Sequence, residues 1–285
     1  MIYLDNAATT GVKPEAVYQA LADAQRAISV NAGRGSYAAA REAVSAIDSC
    51  RADLLALCHI PNGYHVYFAP SATISLNEII LGLSLDAYTN VYVTPFEHNA
   101  VMRPLHAMCA KSGASLRLLP FDRKSWSLDS AAAESMFLSE KPDFIFMSMV
   151  SNATGYQLPV KELTDLAHQY GARVIVDCAQ AIGAVDAQFA EIAADAYIFA
   201  GHKTLYGPYG IAGMILKTDY QPAPGLFGGT GTSSLDLAMP PAADGGWCRR
   251  LWRQWMCPCP FCPSSGWRWD GQVRRDGRPA SAPPG

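Results

Sequence analysis

The run RVIVDCAQAIGAVDAQFAEIAADAYIFAGHKTLYGPYGIAG, residues 173–213, decides how the chain is read. Its first residues are a β-branched apolar stretch closing on Asp177, the pattern of a strand buried on both faces. A connecting segment follows, and AYIF at 196–199 is a second strand of the same kind. Gly201 then bounds a turn that presents His202 and Lys203, and TLYGPYG keeps the backbone permissive before a last strand at 211–217. An acid at one buried strand end and a lysine just past the next is an arrangement that a stable core alone does not call for.

The same alternation extends upstream. Strands read at 64–69 (YHVYFA), 90–94 (NVYVT), 115–119 and 143–150 (DFIFMSMV). Helices read between them at 71–83, 99–112, 130–138 and 160–170, the last closed by Gly171 as a C′ residue. Further upstream Pro14 opens a helix over 16–28, NAGRGS at 31–36 is a glycine-rich break, and an alanine-rich helix spans 37–57. Strand and helix in alternation predict an α/β fold, a mainly parallel sheet flanked by helices. Ligands of such sheets gather at the carboxyl ends of the strands.

Composition sets the outer bounds. Of 285 residues, 50% are hydrophobic and 16% charged, so a sizeable core is expected. A net charge of -3 gives no electrostatic reason for a nucleic acid or an anionic membrane as partner. No apolar run approaches the ~20 residues of a membrane span, and the first five residues lack the basic region of a secretory leader. The expectation is a soluble cytoplasmic protein. Cys50, Cys58, Cys109 and Cys178 are scattered through strand- and helix-like segments, as buried free thiols are.

Several residues just beyond strands suit one chemistry. A lysine in a partly desolvated cleft becomes a nucleophile that forms a Schiff base with an aldehyde; as a lone residue Lys203 reads equally as a surface charge. A carboxylate ending a buried strand is costly unless paired, and a protonated pyridine nitrogen would pair Asp177, which otherwise caps the next segment. Together they are what pyridoxal phosphate requires. Gln180 is placed to meet a ring hydroxylate, or is structural. Ser71, Ala72 and Thr73 open a helix, where free N–H groups and a hydroxyl suit a phosphate, though Ser and Thr also cap helices of any function. His98 could stack on a flat ring and shuttle protons, or serve packing alone. Asn152, after FIFMSMV, could hydrogen-bond an oxygen of the same ring.

The set YLDNAATT, NAGRGS, SAT before a helix, EHNA, SNATG, VDCAQ, GHKTLYGPYG and GGTGTSSLDL, in this order over about residues 1–239, resembles the class V aminotransferase family, cysteine desulfurases and their relatives in particular. The resemblance implies the pyridoxal-phosphate-dependent transferase large domain and pyridoxal 5′-phosphate as cofactor. It implies Lys203 as the lysine bonded to the cofactor and Asp177 as partner of the ring nitrogen. His98 would stack on the ring, Asn152 and Gln180 would meet its 3-oxygen, and Thr73, the Ala72 backbone and His202 would hold the phosphate. Thr230 would reach the phosphate of the neighbouring subunit in a homodimer. The implied reaction converts L-cysteine to L-alanine and passes sulfur to an enzyme thiol, with a sulfur-acceptor protein as a further partner. A selenocysteine lyase, an aminotransferase or a non-catalytic fragment are the alternatives. Three departures accompany the resemblance: Ala200 stands where the family often has serine, the arginine that grips a substrate carboxylate is not found after GGTG, and the C-terminal small domain with its persulfide-forming cysteine is expected to be missing.

Residues 1–15 are expected as an N-terminal arm, 16–239 as the cofactor-binding large domain and 240–285 as an aberrant, disordered tail. Residues 244–285 contain no lysine, five of the six tryptophans and four of the eight cysteines. Translation out of frame explains that composition. A zinc knot of Cys248, Cys257, Cys259 and Cys262 is the rival, with C-x-C-x2-C a poor spacing for it.

Overall fold

The computed structural model describes residues 2–32, 37–60 and 62–225. Thr230 and the tail at 240–285 lie outside them. The elements are α1 (Glu15–Ala27), α2 (Ala38–Leu57), β1 (Tyr64–Ala69), α3 (Ala72–Leu81), β2 (Asn90–Val93), α4 (Asn99–Ser112), β3 (Ser115–Leu118), α5 (Ser130–Ser139), β4 (Phe144–Ser148), α6 (Val160–Gln169), β5 (Arg173–Asp177), α7 (Phe189–Ile192), β6 (Ala196–Ala200) and β7 (Ala212–Lys217). Among the described residues seven strands form one sheet in the order β1-β7-β6-β5-β4-β2-β3. Pairing is parallel from β6 across to β3, and β7 runs antiparallel to both β6 and β1. This is the mainly parallel sheet expected, with one reversed strand inserted beside the edge.

The apolar runs are continuous because the sheet is covered on both faces. Val174 and Val176 of β5 pack in one core with Cys50 and Leu54 of α2, Phe137 of α5 and Leu163 of α6. Ile175, pointing the other way, packs with Leu76 and Ile79 of α3 and Leu105 of α4. Ile145 and Met147 against Phe146, and Tyr197 and Phe199 against Ile198, divide between the same two cores. Every residue of β6 is buried. The rigid centre of the sheet is therefore β4, β5 and β6.

The fit of β7 between its neighbours depends on Gly213. A Cβ there would lie 2.1 Å from the Tyr67 carbonyl oxygen of β1 and 2.7 Å from the Phe199 ring of β6, so only glycine lets β7 fit between them. The connection between β5 and β6 contains α7, a four-residue turn of helix closed by Ala193 at φ 55°. Among the described residues no helix is long and apolar enough to cross a membrane.

Candidate active site

β1, β2, β4, β5 and β6 all run the same way, so their carboxyl ends share one edge of the sheet. A cleft of about 160 Å³ opens there, lined by Ala72, Thr73, His98, Asn152, Asp177, Gln180, His202 and Lys203. The structure thus brings together, from five strand exits, every sequence-nominated residue that it describes.

Asp177 and Lys203 both line the cleft. Asp177 ends β5 in register with Ile198 of β6, and is 8% exposed. Its Oδ1 accepts from the Ala179 N–H at 2.9 Å. Burial raises its carboxyl above the usual range, against that hydrogen bond and the charges of Lys203 and His98. One backbone donor is little compensation for a buried carboxylate, so the Asp177 carboxyl is suited to a cationic or N–H partner. Burial likewise lowers the Lys203 ammonium below its ordinary value, with Asp177 opposing. A half-buried amine of this kind is freed as a nucleophile more readily than a solvated one.

The loop that presents Lys203 is closed by glycines. Gly207 N–H donates to the Gly201 carbonyl at 2.7 Å, and a Cβ on Gly207 would approach that same oxygen to 2.9 Å. Tyr206 beside it takes φ 57°, a conformation that costs a non-glycine residue roughly 1 kcal/mol or more. Backbone strain is here adjacent to the candidate nucleophile.

At the other end of the cleft stands the head of α3. Ser71 caps it through Oγ, accepting from Ile74 N–H at 3.2 Å, which leaves the first-turn N–H groups of Ala72 and Thr73 without intrahelical acceptors. The His202 ring stacks on Tyr209, centroids 5.1 Å apart. Burial, with the Lys203 and Lys13 cations nearby, lowers its imidazole pKa. Helix N–H groups with an imidazole at their side form an anion site.

His98 is the N-cap of α4, its Nδ1 accepting from Ala100 N–H at 3.0 Å. That bond puts the proton of the neutral ring on Nε2 and fixes the ring plane at the cleft mouth. Asn152 is exposed in the turn after β4. Gln180 is already engaged: its Nε2 donates to the Ala7 carbonyl at 2.7 Å.

Sequence reasoning passes over three other features. Residues of the N-terminal arm bind the lysine loop, with Thr10 N–H donating to the His202 carbonyl at 3.0 Å, Thr10 Oγ1 to the Lys203 carbonyl, and Thr9 Oγ1 to the His202 carbonyl at 3.0 Å. Ser148, ending β4, lines the cleft. Glu97, beside His98, is hydrogen-bonded to Ser148 through both its main chain and its hydroxyl. Thr9 and Thr10 fall in YLDNAATT and Glu97 in EHNA, both part of the resemblance, whereas nothing local marks Ser148.

These placements match a known family. The model of the class-V aminotransferases matches residues 2–240. The chain belongs to that family. A probable cysteine desulfurase of Mycolicibacterium paratuberculosis is 31% identical over 75% of this class-V chain and 31% of its own length. A cysteine desulfurase of Klebsiella pneumoniae is 29% identical over 89% of this chain and 62% of its own. The apo structure of a cysteine desulfurase from Thermococcus onnurineus superposes with a TM-score of 0.69 at 27% identity, covering 76% of this chain and 53% of that one. The class-V chain therefore spans about half the length of such relatives.

The family is one of pyridoxal-phosphate-dependent enzymes. The donor set fits that cofactor: a buried carboxylate lacking a strong partner, a half-buried amine, and helix N–H groups with an imidazole line one cleft.

Proposed function

We propose that the cleft holds pyridoxal 5′-phosphate and that the chain carries the cofactor-binding part of a cysteine desulfurase, acting on L-cysteine in a homodimer. The observation that carries the reading is the pairing of buried Asp177 with half-buried Lys203 at adjacent strand exits. In this reading residues 1–15 are the arm, 16–239 the cofactor-binding domain, and 240–285 a tail apart from it. Buried free thiols at Cys50, Cys58, Cys109 and Cys178 suit a reducing cytoplasmic setting.

When bound, the cofactor supplies an electron sink that stabilises negative charge at the α-carbon of an amino acid. Lys203 would hold the cofactor by its amine and would move a proton at the substrate α-carbon, a task suited to its lowered pKa. Asp177 would partner the ring nitrogen. Thr73, the Ala72 N–H and His202 would hold the phosphate, and Thr230 would serve the neighbouring subunit's phosphate. His98 would stack on the ring. Asn152 and Gln180 would bind the ring oxygen, and Gln180 also donates to the Ala7 carbonyl of the arm.

The net reaction turns L-cysteine and a thiol into L-alanine and a persulfide on that thiol. Cys50, Cys58, Cys109 and Cys178 are all buried, none of them lines the cleft, and burial pushes the Cys58 thiol up to about 12, so in this reading none of the four is the acceptor. The thiol therefore comes from outside the described residues, with a sulfur-acceptor protein downstream. Incubating the purified chain with L-cysteine and pyridoxal phosphate and measuring alanine and sulfide tests the reading. Equal yields from wild type and Lys203→Ala would overturn it.

A further inference from the structure

Glu97 is a titratable group beside the cleft that the mechanism above leaves unused. It lies between β2 and α4, and its Oε1 accepts from Thr94 Oγ1 and from the Ser148 N–H at 2.7 Å, while its Oε2 meets Ser148 Oγ at 2.9 Å. Thr94 is 1% and Ser148 4% exposed, so the carboxyl is enclosed by buried donors. Ser148 is the register partner of Asp177. Two carboxyl groups, from Glu97 and Asp177, therefore stand at neighbouring strand ends.

We propose that Glu97 is a positioning residue for the cofactor site, clamping the 94–98 connection to the end of β4 so that His98 is held in the lining of the cleft. This rests on the cofactor reading above. The clamp is tripartite, and His98 follows Glu97 directly, so displacing one carboxyl moves the α4 cap and its imidazole together. Two neighbouring carboxyls cannot both ionise without cost. Burial pushes Glu97 up to about 8, against the bonds from Thr94 and Ser148, and the Asp177 charge adds to the rise. Asp177 faces Lys203 beyond β6 and His98 at the head of α4, both of which favour its ionised form.

Glu97→Gln keeps the shape of the clamp and one donor toward Ser148 Oγ, and removes the ionisation; Glu97→Ala removes both. Pyridoxal phosphate affinity, read from its absorbance, is expected to fall about tenfold in Glu97→Ala, a loss of about one hydrogen bond of positioning, and to be largely restored in Glu97→Gln. In the unliganded chain, hydrogen exchange at the Ser148 amide is expected to speed up about tenfold in Glu97→Ala and to stay slow in Glu97→Gln. The unfolding stability of unliganded wild type is expected to decline as pH rises from about 5 to 8, and that decline to flatten in Glu97→Gln. Wild-type affinity in Glu97→Ala, or an unchanged Ser148 amide, would overturn the clamp, and an unflattened pH profile in Glu97→Gln would overturn the burial of its carboxyl within it. If the wild-type chain itself binds no pyridoxal phosphate, the functional reading fails and the positioning role with it, an outcome distinct from an unchanged Glu97→Ala.

Discussion

Asp177 and Lys203 each carry the charge that opposes the burial of the other: the lysine favours an ionised Asp177, the aspartate a cationic Lys203, and in both cases burial prevails. Such a pair suits a third group that carries its own positive charge.

Replacing Asp177 should separate stability from binding. Its folded carboxyl lies above the unfolded value, so its contribution to stability is full below about pH 4 and is lost as pH rises through the folded value. Asp177→Asn keeps an oxygen for the Ala179 N–H and removes the charge. At pH 7.5 the unliganded variant should melt no lower than wild type and up to about 1 kcal/mol more stable, a rise of ~2–4 °C. Its affinity for pyridoxal phosphate should fall at least about tenfold, the factor that 1.4 kcal/mol represents. A variant that melts lower yet binds the cofactor normally would contradict the assignment.

His98 combines a cap with a ring. His98→Ala should cost about 1 kcal/mol of stability through loss of the acceptor for Ala100 N–H. His98→Asn retains a good N-cap and should recover that stability in urea titrations, while remaining as weak as His98→Ala in cofactor affinity. Full recovery of affinity in His98→Asn would show that capping alone explains this histidine.

The lysine loop should tolerate no side chain at Gly207. The Cβ of Gly207→Ala would meet the Gly201 oxygen at 2.9 Å, and the resulting shift should cost about 1–3 kcal/mol and misplace Lys203. Denaturant unfolding reads the first effect. Slower formation of the cofactor absorbance band reads the second.

Much of this was legible in the chain because its signals are local. Runs such as VIV at 174–176 and FIFM at 144–147 are apolar at every position, as strands covered on both faces are, and a charge closing such a run has few purely structural reasons to be there. The direction of β7 was not legible, since AGMILK reads alike either way and its antiparallel pairing with β1 and β6 joins residues far apart in sequence or across a loop. The four residues of α7 are too few to show a helical period. Glu97 looks like any polar residue beside His98, and its enclosure depends on Ser148, 51 residues away. The arm meets the lysine loop across 193 residues of sequence. Contacts that separate leave no pattern in a local window.

Trapping the cofactor on the chain tests the central claim most directly. The purified protein would be incubated with one equivalent of pyridoxal phosphate, reduced with borohydride, digested, and its modified peptides quantified by mass spectrometry. The account predicts near-stoichiometric, stable modification of the peptide bearing Lys203, absent in Lys203→Ala and much reduced in Asp177→Asn. Modification spread among exposed lysines, with Lys203 no more labelled than the rest, would contradict it.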